Sequence, residues 1–297
     1  MKFGLPGSLL FAVLVRGAPS AAPQPLCGTS NVVSSPALPI HWQPERPRAG
    51  SLFRVTIFDK QFGQSAGTIV IVAGEPLHFH QLGDSLSAIA AIPVDSTHGV
   101  ALVVQCANNQ STKLRINTHS GAYPLEKLSV APQFSATPDS ALAARMSREA
   151  AQAAAVSRAS HGTPQLWTAP FVAPRDTRVT SGFGGGRTFN GTVTSRHMGT
   201  DFAGAVGAPV RATNKGVVRL IGSFYLGGNV IYIDHGEGIV TAYLHLSKQL
   251  VAVGDTVQQG TIIGNVGATG RVTGPHLHWI ARYGAITIDA LTLLSLH

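Results

Sequence analysis

Glycine and proline interrupt this chain so often that it can form only short extended segments joined by turns. There are 33 glycines and 18 prolines among 297 residues. Both disfavour helix interiors, glycine through backbone entropy and proline through its missing N–H. Between the breaks lie short β-branched runs. Residues 52–57, 68–72, 88–92 and 100–104 are such runs in the first half, and 177–180, 217–221, 230–234, 240–243, 262–266 and 277–281 in the second. Runs of this length, punctuated by turns, read as strands. In the second half no helical pattern alternates with them, so a parallel sheet is not expected there. The expected fold is mainly β, with a small sandwich-like all-β domain over 27–131 and an antiparallel β-sheet domain over 167–297. The second has about 130 residues, enough for a core of its own.

One window escapes the punctuation. Pro138-Asp139-Ser140 opens a run rich in Ala, Arg and Glu, with Leu142, Met146 and Ala150 at four-residue steps. This predicts an N-capped helix with a narrow apolar stripe, the centre of a connector spanning 132–166. Gly162, Pro164, Pro170 and Pro174 mark the boundary after it.

Charged residues are only 12% of the chain, with 22 basic against 14 acidic for a net charge of +8. So little charge excludes a coiled coil and a charge-driven disordered protein. The basic excess fits an anionic partner, such as an envelope polymer or a membrane surface at which the protein is peripherally held. There is no dense Lys/Arg block, so no nucleic-acid partner is expected. At the start, Met1-Lys2, an apolar stretch best over residues 9–15 and the small residues 18–22 predict a signal peptide over 1–22. The stretch is too short to span a bilayer. Export to the periplasm or cell envelope is the expectation. Leu26 before Cys27 is too bulky for lipoprotein processing. In an oxidising space Cys27 and Cys106 can pair; two unrelated thiols are the alternative.

The chemistry lies in the last third. His197-Met198-Gly199-Thr200-Asp201 places a histidine four residues before an aspartate, and His276-Leu277-His278 places two histidines at i,i+2 on a predicted strand. Alternate strand residues share a face, so these two rings emerge together. Imidazoles and a carboxylate suit Zn2+, and three protein ligands leave a fourth position for water, the catalytic arrangement. His245 ends another predicted strand and could act as a base beside such a centre. His78 and His80 also have i,i+2 spacing, but no third ligand is close in sequence. His235 sits in a predicted hairpin turn and reads as structural. The glycines at 182–186 fall short of a nucleotide loop, because position 187 is Arg187 and no Lys-Ser/Thr follows. No nucleotide is expected.

These motifs run in order with others: Val179-Thr180-Ser181-Gly182-Phe183-Gly184, Phe189-Asn190-Gly191, Gly207-Ala208-Pro209-Val210, Ile233-Asp234-His235-Gly236, Tyr243-Leu244-His245-Leu246-Ser247 and Thr269-Gly270-Arg271-Val272-Thr273-Gly274-Pro275 before His276. Residues 167–291 thereby resemble the M23 metallopeptidases, the lysostaphin or LytM-like peptidoglycan endopeptidases. The upstream β part looks, more loosely, like the domain that precedes such peptidases. The resemblance implies one zinc held by His197, Asp201 and His278, with His245 and His276 unligated and acting on the metal water and the developing oxyanion. Asn190 matches a position near the metal, contacting substrate or supporting the site. An antiparallel sheet groove with the metal at its floor is implied, as is hydrolysis of peptide stems or cross-bridges of peptidoglycan through a metal-activated water. The family's usual Asn-Pro after the last strand is replaced by Ile288-Asp289-Ala290. The alternative from another functional class is a non-catalytic LytM-like module that binds peptidoglycan or activates an amidase. Such modules typically lose zinc ligands, and here none is missing.

Overall fold

The computed structural model describes residues 39–58, 62, 67–106, 108–191 and 193–296. The signal-like start and Cys27 lie outside the described residues. Cys106 is buried and disulfide-bonded.

The first part is built of two four-stranded sheets. One has the order Ile40–Gln43, Leu52–Ile57, Ser85–Ala91, His80–Leu82, and the other Glu75–Pro76, Ile69–Val72, Val100–Gln105, Ser111–Ile116. All their pairings are antiparallel. Alternation decides what each strand buries. Val55 and Ile57 are fully buried while Arg54 and Thr56 are half-buried, and Leu102 and Val104 go inward from the second sheet. The inward residues of both sheets share one core, which gives the sandwich-like arrangement the sequence suggests.

The second part centres on an eight-stranded antiparallel sheet. Its order is Val179–Ser181, Thr200–Ala203, His276–Tyr283, Ile239–Leu246, Gly228–Gly236, Gly216–Phe224, Thr256–Val257, with Ile286–Ile288 paired on the His276–Tyr283 strand. One face carries Ile231, Ile233, Tyr243, Leu277 and Trp279, all fully buried. The other carries Val230, Tyr232, Val240, Ala242 and Leu244, which pack with Ala153 and Val156 of the helix Ser140–Ala159. The helix thus covers half of this second face, and the uncovered half is where the functional side chains emerge.

The helix is capped as its sequence predicts: Leu142 N–H donates to the Asp139 carboxylate at 2.7 Å. The apolar stripe differs from the expectation. Ala150 is exposed, and the buried positions are Ala153 and Ser157. The helix buries residues only in its second half, while in its first half Arg145 reaches the sheet through its guanidinium, donating to Ser223 O at 3.0 Å, so the four-residue steps counted from Leu142 lead past the buried contact. Its C-terminal end is pinned by Asp234, only 2% exposed. The Asp234 carboxylate accepts from Ser160 Oγ at 2.5 Å, Thr163 Oγ1 at 2.7 Å and the Gly236 amide at 2.9 Å.

The two parts are interleaved. Leu125–Leu128 pairs in parallel with Gly186–Phe189, which pairs antiparallel with Val193–Arg196. The C-terminal turn Ala290–Ser295 returns to the first part, where Asp289 N–H donates to Gly50 O at 2.7 Å and Arg48 pairs with the Asp289 carboxylate at 2.6 Å. His78 and His80 also lie at this junction. His78 Nε2 is 2.9 Å from His161 Nδ1, His161 Nε2 is 2.9 Å from Glu75, and His80 Nε2 is 2.8 Å from Glu237. No helix among the described residues is long and apolar enough to cross a membrane.

Candidate metal centre and its groove

Asp201 lies directly opposite His278 where Thr200–Ala203 pairs with His276–Tyr283. Strand alternation sends Asp201, His276 and His278 to the uncovered face, while Phe202, Leu277 and Trp279 enter the core. His197 precedes these strands, and its backbone is held on both sides: its N–H donates to Gly185 O and its carbonyl accepts from Gly184 N–H, both at 2.7 Å.

Three buried ligand atoms converge there. His197 Nε2 and Asp201 Oδ1 are 3.0 Å apart, His278 Nδ1 and Asp201 Oδ1 2.7 Å, and His197 Nε2 and His278 Nδ1 3.0 Å. Among the described residues this is the one cluster of histidine, cysteine and carboxylate side chains close enough to share an ion. The surroundings fix each donor. His197 Nδ1 donates to Gly182 O at 2.6 Å, leaving the Nε2 lone pair facing inward. Gly199 backs His278, since a Cβ there would stand 2.6 Å from its Nε2. Arg187 Nη2 donates to Asp201 Oδ2 at 2.9 Å, and the same guanidinium reaches Glu126 through Nε at 2.8 Å and Ser181 Oγ through Nη2 at 2.8 Å. One Asp201 oxygen is therefore held by Arg187 while the other faces the two imidazoles.

Electrostatics agree with this geometry. Burial alone would raise the Asp201 pKa, but the His197 and His278 imidazoles beside it outweigh that and hold the carboxyl far below the usual range. Burial also lowers the His278 pKa, against the pull of Asp201. Two imidazoles and an ionised carboxylate with inward lone pairs fit a borderline cation such as zinc.

His245 reaches the same face by an irregularity. It follows Tyr243 by two residues, and Tyr243 points into the core, so plain alternation would bury His245 there. Instead the register slips between Asn229 and Ile231 against this strand, and His245 adopts φ 64. That left-handed conformation is uncommon for a residue with a Cβ and is typical of functional bends. It turns the ring into the groove, where its centroid is 5.0 Å from His276 and 5.7 Å from His278. His245 Nδ1 donates to Thr269 O at 2.8 Å and His276 Nδ1 to Gly274 O at 2.8 Å, so each presents Nε2 to the groove. Burial pushes the His245 pKa down to about 3, helped by the charges of His278 and His276, so this ring is neutral near pH 7.

The groove above the cluster has a volume of about 810 Å³. Its walls include Glu126, Leu128 and Val130 from the first part, and Arg178, Arg196 and Arg271 from the second. Of the six site residues expected from sequence, the structure brings five together and leaves Asn190 aside. Asn190 Oδ1 accepts from Val130 N–H, and its Nδ2 donates to Val130 O and Ser135 Oγ, which ties down the segment after Leu125–Leu128. His235 is fully buried, 2.7 Å from Lys215 O and 2.8 Å from Thr241 Oγ1. The sequence motifs include Ser181 and Thr269 but assign no role in the site to them, to Arg187 or to Glu126. The only signal for Arg187 was that it ended a glycine run.

Residues 195–290 match Peptidase family M23. Over 83 residues the chain is 48% identical to the peptidoglycan DD-endopeptidase ShyC of Vibrio cholerae, covering 28% of this chain and 19% of that relative. The chain thus spans about a fifth of the length of this curated relative. A crystal structure of a Pseudomonas aeruginosa protein assigned to peptidase M23 superimposes with a TM-score of 0.62 at 26% identity, over 84% of this chain and 95% of that one. The catalytic domain of lysostaphin from Staphylococcus simulans is 34% identical, over 41% of this chain and 94% of that domain, with a TM-score of 0.37. With the motif order, the antiparallel sheet and the convergent histidine–aspartate cluster, the family match identifies residues 195–290 as a metallopeptidase domain of the M23 family.

Proposed function

We propose that this chain is an exported zinc endopeptidase that cleaves peptide cross-links of bacterial peptidoglycan, of the DD type named for its relatives. The observation that carries the reading is the convergence of His197 Nε2, Asp201 Oδ1 and His278 Nδ1 beneath a groove into which two further imidazole edges project. Export rests on the apolar stretch at residues 9–15 and the small residues after it. It also rests on the extracytoplasmic location of the polymer.

His197, Asp201 and His278 would hold the zinc, and three protein ligands leave one position open toward the groove. Zinc so bound supplies Lewis acidity, lowering the pKa of a water and polarising a carbonyl. The chain's own groups do the rest. Arg187 fixes the Asp201 carboxylate from behind, so Oδ1 keeps its aim. His245, neutral and oriented by Thr269 O, can take a proton from the attacking water at Nε2 and deliver it to the leaving amine. His276, oriented by Gly274 O, can donate from Nε2 to the developing oxyanion.

The test is digestion of purified peptidoglycan by the full mature chain, read as released muropeptides, with chelator and then with zinc restored. Loss on chelation and recovery with zinc are expected. Cleavage that survives chelation would overturn the metal reading. Zinc bound at about one equivalent per chain with no product released would instead make this a binding module.

A further inference from the structure

The groove is basic, and its arginines are not equivalent. Arg187 is paired with Glu126 and Asp201, and Arg196 with Asp95 and the Gly184 carbonyl. Arg271 also lines the groove, yet among the described residues it has no carboxylate partner and no side-chain hydrogen bond. Its guanidinium carbon instead lies 4.0 Å from the centre of the Phe189 ring. Phe189 is itself buried, so the platform is fixed.

The backbone beneath Arg271 is held as firmly as the catalytic residues. Its N–H donates to Leu226 O at 2.9 Å, and Gly270 before it, at φ 76, approaches Gly228 so closely that a Cβ would stand 2.4 Å from the Gly228 nitrogen. The same short loop supplies Thr269 O, which orients His245. Arg271 is therefore registered to the reacting centre through a common loop. It is half-buried and sits beside Arg187, a like charge. A fixed guanidinium with open donors, kept next to another cation, is suited to binding an anion.

We infer that Arg271, stacked on Phe189, is a specificity residue that binds a free carboxylate of the substrate close to the scissile amide. This rests on the proposed peptidoglycan reading and names a chemical requirement within it. When a cross-link amide is formed on the distal amine of a diamino dicarboxylic acid, the stereocentre bearing that amine keeps its own carboxylate. That group lies on the leaving-amine side, within a few bonds of the nitrogen, and a planar guanidinium can bind it through two parallel hydrogen bonds. An amidated diamino acid lacks the charge and one acceptor, so it should be the poorer substrate.

The experiment uses the full mature chain loaded with zinc and two synthetic stem-peptide dimers. They are identical except that the diamino acid at the cross-link carries a carboxylate in one and a primary amide in the other. Wild type should cleave the acid with kcat/KM about 10- to 100-fold higher, the effect of one charge-assisted bidentate contact. Arg271→Gln should lose that factor on the acid, change little on the amide and retain its zinc, and Arg271→Lys should restore part of the preference. Titration calorimetry with the corresponding monomeric stem peptides, acid and amide, reads the site without turnover. Wild type should bind the acid more tightly, and Arg271→Gln should bind both alike. Binding preference without cleavage would sink the hydrolase reading and keep the carboxylate site. Cleavage with no acid preference in either assay, or equal losses on both substrates in Arg271→Gln, would overturn the inference. So would a wild type that neither binds nor cleaves either peptide.

Discussion

At the residue scale, the five histidine and aspartate side chains at the groove fall into two groups with different expected phenotypes. His278→Ala or Asp201→Ala would leave two donors, too few for tight zinc binding. Both variants should lose bound zinc, measured by metal analysis, together with hydrolysis. His245→Gln and His276→Gln remove groups that face the groove without joining the convergent cluster. They should keep their zinc and lose about 100-fold or more in rate. Zinc at wild-type occupancy in His278→Ala, or a metal-free His276→Gln, would exchange the roles of the two strand histidines. A third kind of histidine serves only the fold. His235 is fully buried, and burial pushes its pKa down to about 4 from an ordinary 6.5. The unfolded chain takes up that proton first as pH falls. The stability tied to the neutral ring is thus complete above about pH 6.5 and lost between there and about pH 4, amounting to about 3 kcal/mol. Chemical denaturation across this window should show a slope shallower by about one proton in His235→Gln than in wild type. The parity of His276-Leu277-His278 was readable from sequence because a strand fixes which face each residue takes. The route by which His245 arrives was not, because it depends on a bulge and a left-handed residue that leave no local signature.

At the element scale, what decides the site's position is which part of the sheet face the helix Ser140–Ala159 covers. Its last turn is anchored by Asp234, whose carboxylate serves Ser160, Thr163 and the Gly236 amide at once. Asp234→Ala would leave two hydroxyls and an amide at a buried junction without their acceptor. The expected cost is about 3 kcal/mol in stability, read from denaturant unfolding, with zinc content unchanged in the folded protein. A loss below about 0.5 kcal/mol would mean that the helix end is not anchored there. Most of these elements were legible beforehand. The β-branched runs became strands and Asp139 became the cap, because alternation and capping are local rules. Leu125–Leu128 was missed, having four residues with little alternation and burying none of them fully. It is a strand only because Gly186–Phe189 offers it an edge, and a partner 61 residues away cannot be read from four residues.

At the scale of the whole molecule, the chain reads from its sequence as separable parts, yet its contacts cross the boundary in both directions. Glu126 of the first part holds Arg187, which holds Asp201. From the other direction Leu52 N–H donates to Thr292 Oγ1, Tyr283 OH donates to Pro76 O at 2.6 Å, and Ala285 N–H donates to Glu75 at 2.9 Å. Leu293, Tyr283 and Ile286 are buried in a core cluster that also contains Leu52, Phe53 and Val70. Linker composition marks where the chain is polar and turn-rich, but it does not show which strand edges or apolar faces meet later. A fragment of residues 160–297 contains His197, Asp201, His278, His245 and His276, and should still fold and bind metal. It would lack the Leu125–Leu128 strand, the Glu126 carboxylate and the surface under Leu293 and Tyr283. Uncovering two or three large apolar side chains costs about 1.5–3 kcal/mol each. The fragment should therefore melt about 10 °C or more below the full mature chain and self-associate through the freed Gly186–Phe189 edge. A longer fragment of residues 120–297 restores the strand, Glu126 and the helix, and should recover the monomer and part of the melting temperature. Thermal unfolding, sedimentation and zinc content, measured on all three, decide it. A 160–297 fragment as stable and monomeric as the whole would show that the upstream part rests on the peptidase sheet without supporting it.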